Sequence, residues 1–287
     1  MFYFAQWVSR MLNYQEYTPS PDLQPFIDCY WQVWHDPQSE WNVNRPLLLD
    51  GCTDLLFGLA GQIQYERSTH QHTFKTIGTL LGPQTKPYRM KPLGRIHLFV
   101  IRFKPGVIYP LFGISGRQLT NNAIPFADIF YNDANSLEEV LWDTYQRKNI
   151  RVTNFISIVE HALRSHVRRI NPESLVNRAV LLLFQNHGVL PINEVCERTN
   201  TSRQHLARLF HDHVGMSPKL LARVFRFRHA LEQLEKDDFS DWPTFAIDAG
   251  YYDQSHLIAD FTEFTGFSPK QYVDKNYHKF HFSNTTA

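Results

Sequence analysis

The chain has 287 residues, of which 43% are hydrophobic and 20% are charged, with a formal net charge of +1. This length fits one large domain or two ordinary ones, and the composition excludes a wholly disordered chain. No apolar run approaches the roughly 18 residues of a membrane helix, and the first residues lack the pattern of a signal peptide. The three cysteines are far apart and form no Cys-x-x-Cys motif, so we expect a cytoplasmic protein.

Residues 17 to about 130 form a β-rich region. Strands are predicted at 26–34, which is rich in aromatic and β-branched residues, in the two apolar runs within 47–59, and at 96–103. Gly and Pro punctuate the region at short intervals. The run at 47–59 is split by the turn signal Asp50-Gly51-Cys52-Thr53, and the run at 96–103 is closed by Lys104-Pro105-Gly106. Turns at such short intervals are typical of a barrel or a sandwich.

Helical periodicity begins at 137–145 and is clearer at 153–170, where apolar residues fall on one face. That face either covers the chain's own β-rich domain or forms a helix–helix contact in a dimer. Asn171-Pro172 ends the helix, because a residue before proline avoids the α region. We therefore divide the chain into a front domain (1–170), a back domain (171–275) and a loose tail (276–287).

Short helices are predicted throughout the back domain, at residues 174–187, 191–198, 202–213, 218–236, 242–249 and 253–264. A stretch of the back domain repeats without gaps at an offset of 51 residues. The positions that recur are His205, Leu206, Phe210, Gly215, Ser217, Pro218 and Lys219, matched by His256, Leu257, Phe261, Gly266, Ser268, Pro269 and Lys270. Because turn residues recur as well as apolar ones, the pattern indicates two copies of a helix-turn-helix.

Each copy has its own turn and capping residue. Thr199-Asn200 precedes the cap Ser202 in the first copy, and Gly250 precedes the cap Asp253 in the second. The helix between the copies starts with proline at its first position and spans ~27 Å at ~1.5 Å per residue. Such a linker can place two recognition helices in successive major grooves, which lie ~34 Å apart.

The charge of the back domain is divided between its two halves. Residues 198–228 contain seven basic residues and one acidic residue, whereas 232–263 contain nine acidic residues and one basic residue. The basic block favours contact with nucleic acid if the fold presents it on one side.

Residues 174–273 resemble the DNA-binding domain of AraC-type transcriptional regulators. The resemblance rests on Arg226-Phe227-Arg228-His229-Ala230, on Ala246-x-x-Ala249-Gly250-Tyr251-x-Asp253-x-Ser255-His256-Leu257, and on Phe261-x-x-x-x-Gly266-x-Ser268-Pro269-x-x-Tyr272. The front part is similar to the β-rich domain of one subgroup, at Phe26-Ile27-Asp28-Cys29-Tyr30-Trp31, Asp50-Gly51-Cys52-Thr53-Asp54-Leu55, Gly82-Pro83 and Phe103-Lys104-Pro105-Gly106.

The resemblance implies an α+β protein, with a β-rich barrel-like amino-terminal domain and flanking helices, followed by an all-α domain of two helix-turn-helix units joined by a linker helix. It also implies a sequence-specific transcriptional regulator that binds double-stranded promoter DNA as a homodimer, and RNA polymerase if it is an activator. The front domain would sense a small-molecule effector, or would only dimerise in a ligand-independent regulator. We expect no cofactor and no membrane contact.

The candidate base-reading residues lie on the two predicted recognition helices. They are Arg203, Gln204, Ala207 and Arg208 in the first copy, and Gln254 and Ser255 in the second. Arginine can bind guanine and glutamine can bind adenine through paired hydrogen bonds, and the family reads bases from the positions that match Gln204, Ala207 and Arg208.

A second set is expected to contact phosphates or to position the domain: Ser202, His211, Lys219, Arg223, Arg226 and Lys270. Arg223 and Arg226 serve either phosphates or the packing of the linker helix. Related proteins often carry basic residues where this chain has Ala259 and Asp260, so the second copy is either a scaffold or a direct reader. The recurrence of His205 and His256 indicates internal packing or hydrogen bonding.

The competing class is a metal-binding barrel enzyme with a helical appendage. His70-x-His72, with Glu66 and His97, has the residue types of a metal site, but the glutamate that follows such a pair in cupin-type barrels is absent. We expect loop histidines and no metal. Asp50 and Asp54 match catalytic carboxylates by type alone, and a turn role for Asp50-Gly51 is preferred.

Overall fold

The computed structural model describes residues 13–35, 48–67, 70–75, 78–126, 134–147, 151–168, 170–236 and 241–275, without the side chains of 65–75. The predicted loose tail at 276–287 lies outside these residues. Within this part of the chain, no helix is both long and apolar enough to cross a bilayer.

Seven antiparallel strands form one sheet in the front half. They are β1 (Asn13–Tyr17), β2 (Ile27–His35), β3 (Thr53–Arg67), β4 (His70–Lys75), β5 (Thr79–Leu81), β6 (Arg89–Phe103) and β7 (Ala123–Pro125). The order is β1-β2-β6-β3-β5-β7, with β4 paired to β3. Because β1 and β7 end this path without pairing to each other, the sheet is open and the expected barrel is only a loose description.

The strand predictions at 26–34 and 96–103 are confirmed by β2 and β6, and β6 extends back to Arg89. The prediction of two strands within 47–59 is wrong for the described part of its first run. Leu48 and Leu49 are not in a strand, and β3 begins at Thr53. The reason is tertiary, because Leu49 packs among buried residues of the helical half and not in the sheet.

The described helices are α1 (Ile108–Phe112), α2 (Gly116–Leu119), α3 (Ala134–Gln146), α4 (Val152–Val167), α5 (Leu175–Gln185), α6 (Ile192–Arg198), α7 (Arg203–His213), α8 (Pro218–Lys236), α9 (Trp242–Asp248), α10 (Gln254–Thr265) and α11 (Pro269–Asp274). The helices predicted for the back domain are confirmed by α5 to α10, with ends shifted by one or two residues. The short helices α1, α2 and α11 are additions to the prediction.

Helix α4 covers the chain's own sheet. Its residues Phe155, Val159, Leu163 and Val167 are buried in a core shared with strand residues such as Phe99. The Phe99 and Phe155 rings lie 5.7 Å apart. The apolar stripe predicted for 153–170 is therefore used within the monomer.

The helical half contains two cores that share α8. Leu221 and Phe225 of α8 pack into the core of α5, α6 and α7. Val224, Phe227 and Leu231 pack into the core of α9, α10 and α11. Because α8 contributes to both cores, it fixes one helix-turn-helix unit relative to the other.

The segment 48–52 leaves the front half and enters the helical half. Leu49 joins the core that contains Phe227, and Cys52 joins the core that contains Leu221. Gly51, at φ 76°, faces Leu221, and a Cβ there would lie 2.5 Å from Leu221 Cδ1. The boundary at 171 stays a prediction, and the two halves are in close contact across it.

Candidate nucleic-acid interface

Helix α7, the first recognition helix, is set by a cap and by its buried face. Ser202 Oγ accepts a hydrogen bond from the His205 backbone N–H at 3.2 Å, as the sequence predicts. Leu206 and Phe210 are fully buried beneath the helix. The opposite side therefore faces solvent, and it carries the exposed residues Arg203, Gln204 and Arg208 and the half-buried Ala207.

The two arginines on this side have neutral partners. Arg203 Nε donates to the Asn193 side chain, and Arg208 Nη2 lies 3.1 Å from His205 Nδ1. Neither partner is a carboxylate, so these contacts orient the two guanidinium groups without an ion pair. Both groups are therefore placed to contact phosphate or the acceptor edge of guanine.

Helix α10, the second recognition helix, repeats this construction. Asp253 Oδ1 accepts from the His256 backbone N–H at 2.8 Å, which confirms the predicted cap. Leu257, Phe261 and Phe264 are fully buried. The predicted readers lie on the other side, with Ser255 exposed and Gln254 half-buried.

Arg223 of the basic block is bound to acidic residues of α10. Its Nε and Nη2 donate to Asp260 Oδ1 at 3.0 and 2.7 Å, and Nη2 also reaches Glu263. The Asp260 side chain is 2% exposed, so this ion pair ties α8 to the second recognition helix. Of the two roles considered for Arg223, this contact supports packing. Asp260 lies 37 residues away from Arg223, so no local signal in the sequence reveals the pair.

Arg226 also contacts the second unit, with its guanidinium carbon 4.9 Å from the centre of the Tyr251 ring. Burial, together with the Asp260 carboxylate, raises the pKa of Tyr251 above its ordinary value. The ring of His256 packs edge-on against Tyr251 with centroids 5.4 Å apart, in keeping with an internal role for this repeated histidine.

The remaining positioning candidates are spread over the helical half. Lys219 and Lys270 are exposed, and His211 is half-buried. Arg198 pairs with Glu194 of its own helix. With Arg198 and Arg223 in ion pairs, the cationic surface of the block is smaller than its sequence charge suggests.

The front half docks on the far end of the first recognition helix. Arg117 Nε pairs with Asp212 Oδ1 at 2.8 Å, and Thr120 Oγ1 donates to the Gly215 carbonyl at 2.5 Å. The rings of Tyr109 and His213 lie 4.4 Å apart. The docked residues follow Arg208 on α7, so this contact leaves the exposed face of the recognition helix free.

A buried charge cluster holds the segment 48–52, which reaches from the front half into the helical half. Arg102 is fully buried, and its Nε and Nη2 donate to the two oxygens of Asp54 at 2.9 and 2.8 Å. Its Nη1 lies 3.3 Å from Asp50 Oδ2. Asp50 Oδ1 accepts from the Cys52 N–H at 2.9 Å, as a turn residue does. Burial raises the pKa of the Cys52 thiol well above its ordinary range.

The histidines considered as metal ligands are not brought together by any described contact. His70 and His72 belong to strand β4, so the expectation that they lie in a loop is wrong. The side chains of Glu66, His70 and His72 lie outside the described residues. His97 Nε2 lies 3.3 Å from Gln32 Oε1, and burial lowers its pKa. Across the part of the chain that is described, no group of three or more His, Cys, Asp or Glu side chains is placed to hold a metal ion.

Comparison with known proteins places two regions of the chain in families. Residues 195–275 match a helix-turn-helix domain family, HTH_18, and residues 15–125 match a domain of unknown function, DUF6597. An uncharacterized HTH-type transcriptional regulator of Haemophilus influenzae is 25% identical over 123 residues, which span 41% of this chain and 41% of that protein.

The chain has low structural similarity to two solved structures. ToxT from Vibrio cholerae has a TM-score of 0.45 at 11% identity, covering 92% of this chain and 97% of that one. The AraC-like transcriptional activator CuxR has a TM-score of 0.25 at 15% identity, covering 78% and 86%.

These findings confirm the resemblance drawn from the sequence. The carboxyl-terminal part matches a helix-turn-helix domain family, in keeping with the AraC-type resemblance of residues 174–273. The chain spans less than half the length of the curated transcriptional regulator that it matches. The front part carries a β-sheet domain whose family model has no assigned function.

Proposed function

We propose that the chain binds a specific operator through two helix-turn-helix units that enter successive major grooves. The observation that carries this proposal is the duplicated capped recognition helix. Both α7 and α10 present an outward face, and the shared helix α8 fixes their relative position. The family match supports regulation of transcription over enzymatic catalysis.

The outward residues have distinct roles in this proposal. Arg203, Gln204, Ala207 and Arg208 read bases from the first unit, and Gln254 and Ser255 read bases from the second. Exposed Lys219 and Lys270 contact phosphates, while Ser202 and His211 position the first unit on the backbone. The contacts of Arg223 and Arg226 within the domain support a positioning role for both.

The cations on the described recognition helices support a dimer on DNA, because Arg203 and Arg208 are the cationic candidates on α7 and α10 has none at the matched positions. Each phosphate that a cation neutralises contributes about −0.9 to the slope of log affinity against log salt, so one chain with few such contacts should give a slope of roughly −3 to −6. Tight binding then requires a second chain, held by the front domain or by the outer side of α4. RNA polymerase is a further partner if the protein is an activator.

The front domain has a groove that supports a sensing role. This groove of about 870 Å³ is open to solvent between α3 and α4, and its lining includes apolar Leu137, Val140 and Ile158 and the polar or charged side chains of His161, Arg164 and Ser165. Mixed apolar and polar lining suits a small organic effector. A ligand of the native state raises the melting temperature, whereas a front domain that only dimerises gives no such shift.

The test of the proposed function is binding to duplexes selected from a random pool by the full-length chain. We expect enrichment of one sequence, and loss of preference for it over a scrambled duplex when Arg203, Gln204 and Arg208 are all changed to Ala. The matched control changes exposed Arg178 on α5 to Ala and should keep the preference. Stoichiometric bound metal and no duplex binding at modest salt would instead support the enzyme alternative.

A further inference from the structure

The two recognition helices differ systematically on their outward faces. The 51-residue offset pairs the outward positions of α7 with those of α10: Arg203 with Gln254, Gln204 with Ser255, Ala207 with Ile258, Arg208 with Ala259, and His211 with Thr262. At each position where α7 has a cationic or ionisable side chain, α10 has a neutral one. The second copy therefore keeps the recognition geometry and loses the charge.

The neutral face of α10 is apolar at its centre. Ile258 is 38% exposed, and Ala259 beside it is also exposed. Ile258 follows Gln254 by four residues, so the two side chains lie on the same side of the helix. The opposite side, with Leu257 and Phe261, is buried in the core and cannot turn outward. The exposure of Ile258 is thus imposed by the packing of the helix.

The acidic side chains next to this face have partners within the domain. Asp260 is buried against Arg223, which also binds Glu263. Asp253 accepts the His256 N–H at the helix start. Tyr252, in the turn before the helix, is 86% exposed and extends the uncharged surface. The matched outward positions of the second recognition helix are therefore uncharged where the first helix presents arginines, and Glu263, 50% exposed one turn after Ala259, is paired with Arg223.

A base edge that matches such a surface exists in the major groove. Thymine carries a C5-methyl group there, which apolar side chains contact, whereas guanine and adenine offer acceptors and donors that suit Arg and Gln. We propose that Ile258, supported by Ala259, reads thymine through its methyl group. This inference rests on the proposed function. It means that the second helix-turn-helix unit contacts bases directly, and that the two halves of the operator are recognised by different chemistry.

The test uses the full-length chain and the duplex enriched from the random pool, resynthesised with deoxyuridine in place of one thymine at a time. Deoxyuridine removes the C5-methyl group and keeps the hydrogen-bonding edge. We expect at least one thymine, in one half of the site, whose replacement weakens binding about fourfold, the value of one buried methyl group. The Ile258→Ala variant should bind the thymine duplex weakly. Its affinity for the deoxyuridine duplex should be no lower than its affinity for the thymine duplex, because the side chain that contacts the methyl group is gone.

Ile247→Ala is the matched control, because Ile247 is an exposed isoleucine on α9, outside the recognition face. It should keep the full response to deoxyuridine. Unchanged melting temperatures would show that both variants fold. Loss of affinity in Ile258→Ala should also be the same at low and high salt, since no charge is removed.

The failures of the two proposals are distinguishable. A pool with no enriched sequence would overturn the proposed function and this inference with it. An enriched sequence whose deoxyuridine response is absent, or is unchanged in Ile258→Ala, would overturn the reading of thymine by Ile258 alone. Full DNA binding by Ile258→Ala would also overturn it.

Discussion

Arg223 lies in the basic block, but its contacts with α10 predict a structural role. Its removal should lower the stability of the fold more than it lowers the affinity for DNA. In Arg223→Met the aliphatic volume remains and the guanidinium is lost. The Asp260 carboxyl group, with its side chain 2% exposed, then loses two charge-assisted hydrogen bonds. The substitution therefore leaves a buried carboxyl group without its ion-pair partner.

The size of the effect follows from the burial of both partners. Breaking a fully buried ion pair costs about 3–5 kcal/mol. The Arg223 side chain is 23% exposed, so water can partly replace it and we expect about 2–3 kcal/mol. For a chain of this length that corresponds to a fall in melting temperature of roughly 5 °C.

The assay is thermal unfolding followed by circular dichroism, combined with a salt titration of DNA binding at low temperature. Arg208→Met is the matched control, because the same change on exposed α7 should leave the melting temperature unaltered. If Arg223→Met unfolds like the wild type and its salt slope falls by about one contact, Arg223 binds a phosphate and the packing argument is refuted.

Three further predictions concern the contact between the halves. A Cβ at Gly116 would lie 2.3 Å from the Gly215 backbone nitrogen, so Gly116→Ala should lower the melting temperature through a loss of about 1–3 kcal/mol. Arg117→Ala, which removes an exposed ion pair, should cost under about 1 kcal/mol. Equal losses of stability in Gly116→Ala and Arg117→Ala would contradict the close contact of the front half with the end of α7. Burial lowers the pKa of His213, opposed by Asp212, so the neutral ring favours docking. That stabilisation is present above the ordinary histidine pKa of about 6.5 and is lost as the pH falls through the lowered value. The melting temperature of the wild type should therefore fall further between pH 7.5 and pH 5 than that of His213→Gln. Equal falls in the two proteins would refute the role of neutral His213 in docking. A fragment of residues 173–275 should fold, with a lower melting temperature than in the full chain because Leu49 and Cys52 are missing from its cores. An unfolded circular dichroism spectrum would contradict the proposed domain boundary.

The parts of the fold that the sequence predicts well are those with local signals. The limits of α7 and α10 follow from the caps Ser202 and Asp253 and from apolar spacing, all of which lie within a few residues. The same signals place the candidate base readers on the solvent side. The repeat strengthens both assignments, because one copy checks the other.

The parts that the sequence does not reveal depend on distant partners. The acidic character of the second copy looks like a surface property, yet Asp260 is buried because Arg223, 37 residues away, reaches it. Leu49 ends the run of three leucines at 47–49, which is typical of a buried strand, and instead it fills a helical core. Helix α1 contains proline, and α2 spans four residues, so neither has the length that a periodic pattern needs.

Hydroxyl-radical footprinting of the full-length chain on its selected duplex tests the central claim most directly. Two units held by α8 should protect two segments on one face of the DNA, about 10–10.5 base pairs apart per chain. Arg208→Ala should weaken protection at one of them, and Ile258→Ala at the other. A single protected segment per chain, or one that responds to both substitutions, would contradict the account of two helix-turn-helix units that read successive major grooves.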